Sequence, residues 1–79
     1  MHNYQYCLVD ISRRNMRFRL HTPEIGMQSM GKTVELEIPK QFFSPQHQLV
    51  YVLTCVTNIG WDLVEVMNDD QILFRRVIA

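Results

Sequence analysis

Residues 44–79 read SPQHQLVYVLTCVTNIGWDLVEVMNDDQILFRRVIA, and in this stretch start, periodicity and stop signals agree as nowhere else in the chain. Ser44 occupies an N-cap position, where a hydroxyl accepts from one of the unpaired N–H groups of a helix start. Pro45 suits the first helical position, where no N–H is needed. Leu49, Val52, Leu53, Val56 and Ile59 then follow at spacings of three and four, which puts them on one helical face. Val50 and Tyr51 flank that stripe, and Gln46, His47, Gln48, Thr54, Thr57 and Asn58 take the wetter positions. Several of these residues are β-branched and form helix only moderately well, so packing on a sheet must supply most of the stability. Gly60 falls where a left-handed C-cap requires glycine. The reading is a helix over about Pro45–Ile59, a strand over Trp61–Met67, a tight Asn68-Asp69-Asp70 turn and a last strand over Gln71–Val77.

Working outward from this unit, Asn3–Ile11 reads as a strand. Tyr4, Tyr6 and Leu8 alternate with Gln5, Cys7 and Val9, and both sets are partly apolar, as in a central or doubly covered strand. Asp10–Asn15 reads as a turn, with Asn15 suited to turn geometry. Asn15–His21 and Lys32–Pro39 then alternate cleanly, as half-buried strands do. Setting Phe18 against Leu36 in an antiparallel pair places Leu20 on Val34 and Met16 on Ile38 on the core face. The same register places Arg17 on Glu37 and Arg19 on Glu35 on the wet face, with every pair favourable. A one-residue slip would drive arginines into the core. The alternation therefore reads first as a charge ladder. Between the two strands, Thr22–Gly31 is long for a hairpin connection and carries Met27 and Met30, side chains suited either to an adaptable contact surface or, for Met27 with Ile25, to folding back on the sheet edge. Phe42 and Phe43 are expected to anchor the connector that leads to Ser44. The fold class expected is α+β: one domain over residues 1–79, an antiparallel sheet of four to five strands with one helix on one face, in the order β-β-β-α-β-β.

Composition narrows function mainly by exclusion. Seventy-nine residues make one domain with a thin core. Eight basic residues balance eight acidic ones, so no global charge draws the chain to nucleic acid or anionic membrane. Cys7 and Cys55 both sit in apolar segments and read as reduced thiols. No signal-peptide pattern opens the sequence and no apolar run approaches membrane-spanning length, so a cytoplasmic protein is expected.

Tyr4 and Tyr6, then Gly60, Trp61, Asp62, Leu63, Val64 and Val66, then Phe74 and Arg75 make up a pattern that resembles the domain of unknown function 4177 family of small bacterial proteins, mainly over Leu53–Val77. The resemblance implies a helix-on-sheet fold and brings no activity with it. The stretch from Arg13 to Pro39 is longer than that family's pattern.

No cofactor-binding, metal-binding or catalytic motif is present. His2, His21 and His47 fall on three different elements and lack the close spacing of a zinc site. No glycine-rich loop opens a helix. Asp69 and Asp70 are paired carboxylates, but in a turn they serve the local backbone. The expectation is a non-catalytic protein-interaction or regulatory module that binds a protein partner through a sheet edge or the 22–31 loop, with homodimerisation favoured by the same edges. The alternative is nucleic-acid binding on an arginine-rich sheet face with tyrosine stacking. A third reading is a small inhibitor carried by a mobile element. The candidate partner-binding residues are Arg13, Arg14, Arg17, Arg19, Met27, Met30, Arg75 and Arg76.

Overall fold

A computed structural model describes residues 3–22 and 32–77. The strands are β1 (Tyr4–Ser12), β2 (Arg17–Thr22), β3 (Lys32–Glu37), β4 (Asp62–Asn68) and β5 (Gln71–Val77), and the helix is α1 (Pro45–Asn58). All five strands form one antiparallel sheet in the order β3-β2-β1-β5-β4, so the expected α+β class and element order hold. β1 is the central strand, which explains why both of its faces are partly apolar.

The β2–β3 register is the one the alternation dictates: Arg17 opposes Glu37, Phe18 opposes Leu36, Arg19 opposes Glu35 and Leu20 opposes Val34. Met16 does not extend the strand. It closes the β1–β2 turn with φ of 54°, and its carbonyl accepts from the Ile38 N–H at 2.7 Å. The left-handed position in this turn is thus Met16, not Asn15.

Both ends of α1 form as their residues require. The Ser44 hydroxyl accepts from the His47 N–H at 3.2 Å, with Pro45 in the first turn. At the other end the Gly60 N–H donates to the Thr57 carbonyl at 3.1 Å and the Trp61 N–H donates to the Val56 carbonyl at 3.4 Å. Together these make a Schellman cap, completed by contact between the apolar groups on either side of it. Val56 and Trp61 are those groups, and both are buried.

The core lies between α1 and one sheet face. It joins Val52, Val56 and Trp61 to Cys7, Val9 and Ile11 of β1, Phe18 and Leu20 of β2, Ile72 and Phe74 of β5, and Ile38. Tyr51 packs its ring edge-on to Phe18 at 6.3 Å and against Phe42 at 4.8 Å. Phe42 anchors the connector, whereas Phe43 is exposed. Gln48, expected among the wet positions, is buried, and its amide donates to the Met16 sulfur at 3.1 Å.

Gly60 has φ of 103°, and a Cβ built there meets nothing within 4 Å. The site tests backbone strain free of any clash. Gly60→Ala is expected to lower stability by about 1 kcal/mol in urea unfolding, while an alanine at exposed Asn58 leaves it within about 0.5 kcal/mol.

Candidate functional site

The six candidate arginines do not form a stripe. Arg13 points inward across the bottom of the sheet. Its Nε donates to Asp70 Oδ1 at 3.0 Å, one Nη donates to the Pro45 carbonyl at 3.1 Å and to Gln48 Oε1 at 3.4 Å, and the other Nη donates to the Asp69 carbonyl. It ties the β1–β2 turn, the β4–β5 turn and the start of α1 together, a structural clamp. Arg14 is exposed in the same turn. Arg17 reaches Glu35 at 3.2 Å and Glu37 at 3.5 Å, and Arg19 reaches Glu35 at 3.4 Å. The hydrogen bond from Arg17, with the positive charge of Arg19 beside it, lowers the pKa of Glu35. Arg75 lies over the Tyr4 ring at 4.3 Å, and Arg76 lies over the Trp61 ring at the same distance on the opposite, helix-bearing face. The Arg76 Nε also donates to Gln5 Oε1 at 2.8 Å. Met27, Met30 and the rest of the 23–31 connection lie outside the described residues.

Among the described residues nothing covers the sheet face away from α1, and that face divides into two zones. One is a chain of polar contacts that crosses all five strands. Thr33 Oγ1 meets His21 Nδ1 at 3.2 Å, His21 Nε2 meets Asp10 Oδ2 at 2.9 Å, Gln71 Nε2 donates to Asp10 Oδ1 at 3.0 Å, and Asn68 Nδ2 donates to Gln71 Oε1 at 3.1 Å. The other zone is amphipathic. Tyr6 pairs across to Arg75, Leu8 to Leu73 and Tyr4 to Val77, with Tyr4 and Tyr6 centred 6.4 Å apart. By register, Arg17, Arg19 and Arg75 share this face with Asp10, Glu35, Glu37, Asp62 and Glu65, so the face as a whole is not basic. The Thr33–His21–Asp10 contacts have the composition of a catalytic triad, yet both the histidine and the aspartate are more than a third exposed on a flat sheet surface. Such a site does not exclude water from a reaction.

The helix-bearing face has a different unfinished feature. A 14-residue helix is about 10 Å across with its side chains, whereas five strands span about 20 Å between edges. Among the described residues, α1 therefore covers the middle of the sheet and leaves both margins bare. Val34 and Leu36 of β3 point to the helix side with the buried Leu20 and Phe18, yet remain 49% and 41% exposed. Leu63 and Val66 of β4 oppose the buried Phe74 and Ile72, yet remain 48% and 43% exposed. Val34 and Leu36 thus lie on the core-facing side as expected, yet of that strand's apolar set only the neighbouring Ile38 is buried. Beside β3 the bare margin becomes a groove of about 380 Å³, lined by Val34, Leu36, Leu20 and Thr22 together with Gln5, Ile59, Trp61 and Arg76. All of β4 is exposed, including Val64 and Met67.

These margins escaped the reading of the sequence, because alternation tells which side a residue faces and not how far the covering layer extends. One signal was available: Leu63-Val64 is an apolar doublet before Glu65, and the β4 register shifts at that point. Among the described residues no cluster of three or more His, Cys, Asp or Glu side chains is arranged to hold a metal, and no helix is long and apolar enough to cross a membrane. Comparison with family models, curated proteins and solved structures finds no match to the chain.

Two consequences can be measured. Arg13→Ala removes the Asp70 ion pair and the side-chain donor to the Asp69 and Pro45 carbonyls and to Gln48, and is expected to cost about 2 kcal/mol in urea unfolding. Arg14→Ala, in the same turn, is expected to change stability by less than about 0.5 kcal/mol. Burial pushes the Cys7 thiol pKa up, only partly offset by the Thr22 hydroxyl 3.7 Å away, whereas Cys55 is partly exposed. Native protein treated with a thiol reagent near neutral pH should modify Cys55 first and Cys7 only after denaturant is added.

Proposed function

We propose that the protein is a small non-catalytic protein-interaction or regulatory module that engages a protein partner along the edges of its sheet, on the helix-bearing side. One observation carries the reading. Val34 and Leu36 on one edge and Leu63 and Val66 on the other face the layer that should bury them, and that layer stops short. Edge strands also offer unpaired backbone groups, so an added strand gains ladder hydrogen bonds and covers these side chains in one step. Burying the remaining half of an aliphatic side chain contributes about 1 kcal/mol each. Inhibition of a larger complex, as by the small proteins of mobile elements, would use the same surface.

A nucleic-acid reading draws on the Tyr4–Tyr6 pair and Arg75, which offer ring faces and a cation on the open face. The carboxylates that share that face work against phosphate, and the edge reading is preferred.

Affinity purification of tagged protein from its native host, followed by mass spectrometry, tests this. Leu36→Lys or Val66→Lys should cut recovery of a specific protein partner about tenfold, equivalent to about 1.4 kcal/mol. Tyr6→Ala should leave that recovery unchanged. Recovery of nucleic acid alone, lost in Tyr6→Ala and falling steeply with salt, would decide for the second reading.

A further inference from the structure

We infer that β4 pairs antiparallel with β4 of a second copy of this chain, joining two five-stranded sheets into a single ten-stranded one. The inference rests on the edge-binding reading above and names the partner for one of the two edges.

The first support is the irregularity of β4, whose register with β5 shifts between Leu63 and Glu65 and again between Val66 and Asn68. In a regular strand, residues three apart point to opposite faces. The register shift between Leu63 and Glu65 instead brings Leu63 and Val66 to the same face, opposite Phe74 and Ile72. These two residues flank the Val64–Glu65 peptide at equal separation. A two-fold axis through that peptide, normal to the sheet, sets Leu63 of each copy against Val66 of the other. It also keeps both α1 helices on one side, so the four aliphatic side chains fill the gap between the two helices. The margin that one helix leaves bare is then closed from both directions.

Charge favours this register over the one centred on Glu65. β4 carries Asp62 and Glu65 and no cation. Pairing about the Val64–Glu65 peptide sets Asp62 against Met67 and Glu65 against Val64, so no carboxylate stands directly opposite another. Centring the pair on Glu65, the register of greatest overlap, sets Glu65 against itself, a like-charge cross-strand contact that destabilises. The β3 edge is less suited to self-pairing. Its register with β2 is regular, so setting Val34 against Leu36 of a second copy necessarily opposes Glu35 to Glu35. An isologous β4 contact also closes at two copies, whereas a β3–β4 contact would repeat without end.

Sedimentation velocity on the full chain from about 1 μM to about 1 mM tests this. The unmodified protein should pass from monomer to dimer and stop there. The double variant L63K/V66K should keep its circular dichroism spectrum and raise the dimer dissociation constant at least tenfold, while Leu36→Lys on the opposite edge should leave it unchanged. In a Cys55→Ser background, mixing Leu63→Cys protein with Val66→Cys protein under oxidised glutathione, which accepts the two electrons, should give a disulfide-linked pair far faster than either does alone, which reports the register and does not depend on the lysine variants folding. A monomer at every concentration, a dimer indifferent to L63K/V66K, a dimer lost in Leu36→Lys, or growth past two copies would each overturn the inference. If the protein stays monomeric yet L63K/V66K abolishes capture of a host protein, self-pairing fails and the edge-binding reading stands. If neither occurs, and Leu36→Lys also leaves capture of a host protein unchanged, both fall.

Discussion

A single 14-residue helix has to bury one face of a five-stranded sheet, and most of this molecule follows from that mismatch of widths. Val52, Val56 and Trp61 settle over Cys7, Val9, Ile72 and Phe74, the inner strands, because that position buries the most apolar area per turn of helix. The cost appears at the edges, where residues with the correct inward parity find no layer above them among the described residues. In a larger α+β domain a second helix would take that place. Here the edges remain as the surfaces with the most to gain from a partner.

The helix is held in place less by its own propensity than by what grips its ends. Ser44 and Pro45 start it, and Arg13 reaches across from the β1–β2 turn to the Pro45 carbonyl and the buried Gln48 while also gripping Asp70. At the far end the Schellman cap turns the chain so that Trp61 drops into the core and β4 begins. Arg76 then closes over Trp61. Two of the six arginines thus serve the fold, and two more are spent on Glu35 and Glu37. What looked in one dimension like a set of basic residues is distributed over both faces and one end of the sheet.

The open face gains its order from polar contacts. Thr33, His21, Asp10, Gln71 and Asn68 supply one side chain per strand to a continuous chain of contacts, which orients residues on five strands without a covering layer. That face is therefore satisfied where it is polar, and amphipathic only around Tyr4, Tyr6 and Leu73. The contrast with the bare aliphatic margins on the other face is the reason the functional reading settles on the edges.

Local patterns carried the elements. Ser44-Pro45 and Gly60-Trp61 bracketed the helix because caps depend on a few adjacent residues, and the alternation of Arg17, Arg19, Glu35 and Glu37 specified the β2–β3 register because a slip would bury charge. Strand order, the covered width and the partners of long side chains depend on contacts between distant residues, and no local pattern encodes them. Arg13 and Asp70 are 57 positions apart, so their clamp was invisible in one dimension. Met16, not Asn15, took the left-handed turn position because its carbonyl meets Ile38 and its sulfur meets Gln48. The sequence by itself determined which side each residue of a strand faces. Only the tertiary structure decided which of those sides is covered, because cover depends on where one narrow helix comes to rest on a wide sheet.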